Sequence, residues 1–237
     1  MEECRFCDLD STLIFSHRHE IGEKVVVEYL KDKEQSYMQA NIYEIFRSVG
    51  SRIVPLTSRT CSQYNRIIFP IYPEYALIDN GGILLKNGEI DEAWREETIA
   101  ITAEDISVMR LIEPQLEKYG KIKWQDDLVL FLKLVNSDDT CTVNKIVEEY
   151  NLLFFEHGAK KYICSRAMNK GMAIKRFKER FIVKKAYMAG DSLVDYATAP
   201  FVDALYLPKE LMNKVPFHAN VSYVDKLDLA EKILRGC

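Results

Sequence analysis

The sequence predicts an α/β protein: a doubly wound, mainly parallel sheet carrying an inserted α+β unit. Three observations support this. Short apolar runs at Cys4 to Cys7, Arg52 to Leu56 and Lys185 to Ala189 each end abruptly in polar residues, as buried parallel strands do where they leave a sheet. Helical and strand-like segments alternate from Ser36 to Leu84 and again from Met168 onward. Between them, residues 96–164 read helix, hairpin, helix, hairpin, the order of an antiparallel α+β unit. The expected division is a core of residues 1–84 and 166–237 around an inserted domain of residues 85–165.

In chain order, Cys4 to Cys7 forms the opening strand and Asp8 and Asp10 follow where it ends. Residues 14–24 read as an irregular turn, and Val25 to Tyr29 as a strand turning at Lys31 to Lys33. From Ser36, the apolar positions Met38, Ile42, Ile45, Phe46 and Val49 share one helical face that stops at Gly50. Arg52 to Leu56 is a second strand. It delivers Thr57-Ser58-Arg59-Thr60, a good helix start whose amides and hydroxyls also suit phosphate oxygens. Tyr75 to Ile78 is a third strand, and Ile83 to Ile90 a hairpin with an Asn-Gly turn.

In the insert, a helix over 96–119 contains Pro114, which would kink or divide it. Strands Lys121 to Trp124 and Leu128 to Val135 follow, then a helix capped at Ser137 or Asp138, then strands Leu152 to Phe155 and Lys161 to Cys164. Lys170 opens the next helix. Lys185 to Ala189 and Ala204 to Leu207 are strands, and an amphipathic helix through Leu227, Ala230 and Leu234 closes the chain.

Composition narrows the function classes. With 237 residues, 48% hydrophobic and 29% charged, the chain can bury a large core. A net charge of -4 gives no general attraction to nucleic acid or to an anionic membrane, so neither is an expected partner. No apolar run is long enough for a membrane helix, and the N-terminus lacks a signal-peptide pattern, so the expected location is the cytoplasm. The six cysteines are scattered and are expected as reduced thiols. A strand puts Cys4 and Cys7 on opposite faces, against a zinc site.

The chemistry concentrates at the strand ends. Asp8 and Asp10 are two carboxylates that core packing would avoid unless something binds them. A Mg²⁺ ion is such a ligand, since it takes hard oxygen donors and keeps phosphate oxygens in its shell. Asp8 could then attack a phosphate monoester, and Asp10 could protonate the leaving alcohol and activate water. The alternative reading is a strand followed by an Asp- and Ser-rich turn. Asp8 with Asp10, Thr57, Lys170, and Asp191 with Asp195 all fall at predicted strand ends or helix starts. Ligands bind at that edge of an open α/β sheet.

These residues occur in the order of the motifs of the haloacid dehalogenase superfamily, which the sequence resembles over nearly its whole length: Asp8-Leu9-Asp10-Ser11-Thr12, Thr57, Lys170 and Gly190-Asp191-x-x-x-Asp195. Thr57-Ser58-Arg59, Asn80-Gly81-Gly82 and the insertion resemble the branch with a C2-type cap, which holds Cof-type phosphatases, sucrose phosphatase, mannosyl-3-phosphoglycerate phosphatase and phosphomannomutase. Asp10 to Ile14, Ser36-Tyr37-Met38 and Thr57 to Thr60 are similar to hydrolases of tellurium-resistance-type gene clusters. The resemblance implies a HAD-like core with a C2-type cap and Mg²⁺-dependent hydrolysis of a small phosphorylated substrate, such as a sugar phosphate, through an aspartyl phosphate. It makes Asp8 the nucleophile and a metal ligand, and Asp10 the acid/base with its carbonyl on the metal. Thr57 binds the phosphoryl group, Lys170 neutralises charge, Asp191 ligates the metal and Asp195 supports its shell. Ser11, Ser58, Arg59 and Asn80 are implied substrate contacts. In the cap, Lys121, Lys123, Trp124, Lys160, Lys161 and Arg166 are candidates to read the leaving group.

Two positions depart from the pattern: Ser11 stands where Gly is usual, and Val194 where this branch commonly has Asn. A phosphomutase, or a phospholigand-binding protein with weakened catalysis, are the alternatives.

Overall fold

β1 (Glu3–Cys7) is enclosed on both faces, with Cys4, Phe6 and Cys7 at 2% exposure or less, as expected for a central parallel strand. In the computed structural model residues 1–157 and 160–236 are described, without the side chains of His157 and Lys160. The expectations for Lys160 as a substrate contact and for the Cys237 thiol therefore lie outside the described residues. The five described cysteines form no disulfide.

β2 (Phe15–Ser16), β3 (Lys24–Leu30) and β4 (Lys33–Gln39) form an antiparallel sheet in the order β2-β4-β3. The turn between β3 and β4 places Lys31 and Asp32 at φ 51° and 59°, the left-handed pair of a tight hairpin. The helix expected from Ser36 begins only at α1 (Ala40–Val49). Ser36, Tyr37 and Met38 are strand residues because each has a cross-strand partner: Tyr37 opposite both Phe15 and Val26, Met38 opposite Val25. Spacing alone could not reveal those partners.

β5 (Ile53–Pro55) is followed by α2 (Cys61–Tyr64), a single turn closed by a capping box between Thr60 and Gln63. A helix therefore starts at Cys61, where the sequence places one, but its four residues give it little dipole for a phosphate. β6 (Tyr75–Ile78), β7 (Ile83–Lys86) and β8 (Glu89–Ile90) make a second antiparallel sheet, with Asn87-Gly88 turning at positive φ.

Residues Glu92–Met168 are a separate compact unit. α3 (Glu92–Leu116) runs unbroken through Pro114, which lies in its last turn. β9 (Gly120–Gln125) and β10 (Val129–Leu134) pair antiparallel. Asn136 caps the turn before α4 (Thr140–Glu149), in place of the expected Ser137 or Asp138. β11 (Leu153–His157) and β12 (Lys160–Cys164) complete a sheet ordered β11-β12-β10-β9. Met109, Ile112 and Leu116 of α3 share its core with Leu130, Leu132, Val143, Val147 and Ile163.

The chain then returns to the first unit, Met1–Asp91 with Asn169–Cys237. It forms α5 (Lys170–Phe181), β13 (Lys185–Ala189), α6 (Leu193–Tyr196), β14 (Ala204–Pro208), β15 (Val221–Val224) and α7 (Leu229–Arg235). The parallel sheet has the order β15-β14-β13-β1-β5. Phe6 sits beside Met188 on one side and Val54 on the other, and packs edge-on against Phe177 of α5 at 5.4 Å. β1 therefore lies where the strand order reverses, and three neighbouring strands end at one edge. No described helix is long and apolar enough to cross a membrane.

Candidate active site

Three residues close a buried ionic cluster. Asp8 leaves β1 with its amide still donating to Ala189 O at 2.9 Å, so the ladder with β13 fixes its backbone. Lys170 Nζ donates to Asp8 Oδ1 at 2.5 Å and to Asp195 Oδ1 at 2.6 Å. Asp8, Lys170 and Asp195 are 6%, 4% and 0% exposed. Lys170 is the first residue of α5, after the cap Asn169, where the helix dipole disfavours a cation. Its position makes sense through the two carboxylates it holds.

Both oxygens of Asp195 are engaged, Oδ1 by Lys170 and Oδ2 by Ser192 N and Oγ, which donate at 3.0 and 2.7 Å. A Cβ on Gly190 would lie 2.2 Å from Asp195 Cγ, so only glycine lets the loop pass there. Asp191, part-buried, receives Lys226 Nζ at 2.8 Å. Carboxylate oxygens of Asp8, Asp191 and Asp195 lie within 4.8 Å of one another. Three acids in this space outnumber the two lysines that reach them, Lys170 and Lys226. Burial raises the Asp8 carboxyl well above its ordinary range; Lys170 opposes the shift, while Asp195 and Asp191 add to it. Burial also raises Asp191, with Lys226 opposing. Lys170 is held above its ordinary value because Asp195 and Asp8 outweigh the effect of burial.

Asp10 is placed differently. Its carboxylate accepts a two-pronged bond from Arg59, Nε to Oδ2 and Nη2 to Oδ1, both 2.8 Å. Arg59 Nη1 reaches Glu28 Oε2 at 3.0 Å, and Arg66 Nε donates to Glu28 Oε1, also at 3.0 Å. The Arg59 guanidinium expected at the substrate is thus engaged by two protein carboxylates. Glu28, Arg66 and Lys226 lie outside the family motifs, and their roles depend on pairings 31 or more residues apart in the chain.

Thr57 is buried, with its hydroxyl accepting from Arg59 N at 3.2 Å and its carbonyl from Asn80 N at 2.9 Å. The second bond brings Asn80 beside Thr57. Asn80 tolerates φ 55°, and its buried side-chain oxygen has no hydrogen-bond partner. Ser58 is exposed. Ser11 stands at φ 64°, a left-handed conformation that favours glycine. Val194 lies on α6, 37% exposed.

Within the second unit, Trp124 Nε1 donates to Glu113 at 3.0 Å under Arg110, which stacks at 3.7 Å. Lys161 is buried and paired with Glu156, and Arg166 donates to Asn151 O. Lys121 and Lys123 are exposed.

Comparison with solved structures gives the fold its class. The sucrose-phosphatase of Synechocystis sp. PCC6803, solved with sucrose and phosphate, superposes with a TM-score of 0.69 at 12% identity, covering 98% of this chain and 96% of that one. A haloacid dehalogenase-like hydrolase from Bacteroides thetaiotaomicron gives 0.61 at 10% identity, covering 99% of both chains. The trehalose-6-phosphate phosphatase of Aspergillus fumigatus gives 0.56 at 12% identity, with 98% and 91% covered. The chain has the fold of the haloacid dehalogenase-like hydrolases. No family model matches the sequence, and no curated protein does.

Proposed function

We infer that the chain is a haloacid dehalogenase-type phosphatase that hydrolyses a small phosphate monoester of the sugar-phosphate class with Mg²⁺. The observation that carries the reading is Asp8, a carboxylate held 2.5 Å from Lys170 Nζ in a buried acid cluster at the carboxyl end of the central strand. A fold gains little from burying Asp8 and Asp195 around one lysine with Asp191 beside them, whereas phosphoryl transfer uses such an arrangement.

Asp8 would attack phosphorus, breaking the ester P–O bond and forming an aspartyl phosphate. Asp10, protonated, would give its proton to the departing alkoxide. As the carboxylate it would then take a proton from water, which attacks the same phosphorus, releases phosphate and restores Asp8. Lys170 would balance charge on the transferring group, and the Thr57 hydroxyl would bind one of its oxygens. Ser11, Ser58 and Asn80 are the remaining proposed substrate contacts. Arg59 acts through Asp10.

The all-oxygen donor set within 4.8 Å fits a hard cation. Asp8 and Asp191 would hold it together with the Asp10 main-chain carbonyl, while Asp195, engaged by Lys170 and Ser192, would support the metal shell. When bound, Mg²⁺ supplies positive charge at the phosphoryl oxygens. The inserted domain, residues 85–165 by the sequence reading, would be the C2-type cap that selects the leaving group. Sugar phosphates are the first substrates to try because two of the neighbours are a sucrose-phosphatase and a trehalose-6-phosphate phosphatase.

The test is phosphate release from an aryl phosphate and from a panel of sugar phosphates, with Mg²⁺ or EDTA, for wild type and Asp8→Asn. Turnover that requires Mg²⁺ and disappears in the variant is expected. A second reading, a phospholigand-binding protein, draws on Val194 and on the Lys226 ion pair with Asp191. Saturable binding of a sugar phosphate with no turnover of any ester would establish that reading instead.

A further inference from the structure

Glu28, on the β3 strand of the β3–β4 hairpin, lies outside every motif named above, yet its carboxylate reaches the Arg59 that holds Asp10. The β3–β4 pairing shifts register on both sides of Glu28, between Val26 and Glu28 and again between Glu28 and Tyr29. Such a bulge re-aims a side chain. Here Glu28 is 2% exposed, on a strand whose ends lie in solvent. Its Oε2 accepts from Ser36 Oγ at 2.6 Å and Arg59 Nη1 at 3.0 Å, and its Oε1 from Arg66 Nε at 3.0 Å. The backbone supports the placement: Ile68 N donates to Val27 O at 2.7 Å, tying the bulge to the segment that carries Arg59 and Arg66.

We propose that Glu28 is a positioning residue for Asp10, acting through the Arg59 guanidinium. This rests on the phosphatase reading above. The Asp10 side chain is 47% exposed, so packing does not hold it. Arg59 holds it through the Nε and Nη2 edge of a rigid planar group. Glu28 takes the remaining corner, Nη1, which also donates to Gln63 O at 3.5 Å. Ser36 Oγ braces Nη2 at 3.4 Å, and Arg66 balances the second Glu28 oxygen. The four side chains Asp10, Arg59, Glu28 and Arg66 sum to zero charge. That sum counts Asp10 as the carboxylate; when Asp10 carries the proton one positive charge is left over, so in neither state does the network set net negative charge against the reacting phosphate. A group that must deliver a proton to one oxygen gains more from fixed aim than from strength of attraction.

A merely structural network would tie the hairpin down and affect all substrates alike. A positioning network matters in proportion to how much the leaving group needs a proton. The test is kcat/KM, which reports steps up to phosphoryl transfer, for an aryl phosphate with an acidic phenol and for an alkyl phosphate. Both are measured on wild type, Glu28→Gln and Arg59→Lys, with thermal melts to check folding. Glu28→Gln is expected to lose about 30-fold with the alkyl ester and no more than about threefold with the aryl ester, within the range of general acid catalysis. Arg59→Lys, which cannot fork, should show the same or larger disparity. Equal losses on the two esters, or no loss on the alkyl ester, in a folded variant would overturn the positioning role while leaving the phosphatase reading intact. A wild type that turns over neither ester overturns both.

Discussion

Asp8 and Asp10 are two residues apart in the chain and meet opposite surroundings. Asp8 is buried where it shares Lys170 with Asp195 and lies close to Asp191, its carboxyl raised by burial. Asp10 is about half exposed and sits at the end of a charge-balanced chain, Asp10, Arg59, Glu28 and Arg66. The first arrangement concentrates unbalanced negative charge, which calls for a cation and serves attack on phosphorus. The second fixes direction, which serves proton transfer. Proximity in sequence did not give the two carboxylates one environment; the side chains that β5, the β3–β4 hairpin, α5 and the loop after β13 bring to them did.

The comparison breaks most visibly if Glu28 is truncated. Glu28→Ala leaves two part-buried guanidinium groups facing a buried gap, and the loss of stability is expected to reach about 3 kcal/mol, the lower end for breaking a buried ion pair. Denaturant titration reads it directly. A loss below ~1 kcal/mol would place the network among surface ion pairs. Next, Lys170→Met removes the cation that holds Asp8, and kcat on any accepted ester should fall by roughly 10²–10³, the cost of removing one electrostatic donor to a transition state.

Metal binding sharpens the same contrast. At about 100 times its dissociation constant, Mg²⁺ should stabilise the folded protein by ~2.7 kcal/mol. The melting temperature would rise and EDTA would reverse the change. Asp191→Asn should abolish most of the shift, whereas Arg59→Lys should leave it, because Arg59 holds the carboxylate of Asp10 and not the acid cluster. An equal shift in Asp191→Asn would place the ion elsewhere.

Asp8 carries a cost that pH exposes. An acid whose folded pKa lies above its unfolded value binds its proton more tightly when folded, so its ionisation destabilises the fold. The cost is absent below the unfolded value near ~3.9, grows as pH rises and is complete above the folded pKa. Asp8→Asn removes it and leaves Lys170 with Asp195 as a balanced pair. In EDTA at neutral pH the variant should melt ~2–4 °C higher than wild type, a gain of about 1 kcal/mol for a chain of this size, and the difference should shrink in acid. A variant less stable than wild type at pH 7 would show that Asp8 stabilises the fold after all.

The sequence made the parallel strand ends legible because apolar runs that stop at polar residues report burial directly. Asp8, Thr57 and Asp191 follow such ends, and Lys170 opens α5. What it could not report was pairing. Ser36 to Met38 fit a helical spacing as well as a strand, and only Phe15, Val25 and Val26 across the sheet decide between them. Glu28 reads as an ordinary outward residue of an alternating strand until a bulge turns it inward. Lys226 looks like a surface lysine until the fold brings it to Asp191. β15 was missed because Val221 to Val224 is short and only partly buried.

The smallest expected effect lies between the two carboxylates, at Ser11. Its φ of 64° costs a side chain about 1–2 kcal/mol in the left-handed region, and its amide donates to Ile14 O at 2.7 Å, so the turn cannot relax without losing that bond. Glycine removes the strain but makes the unfolded chain more flexible, so part of the gain is lost. Ser11→Gly should therefore stabilise by less than about 1 kcal/mol, and Ser11→Ala, which keeps the strain, should fall below Ser11→Gly by about that amount. The pair separates backbone from hydroxyl. If alanine and glycine melt together, the turn between Asp8 and Asp10 is not strained, and the serine there would have to be explained by its hydroxyl.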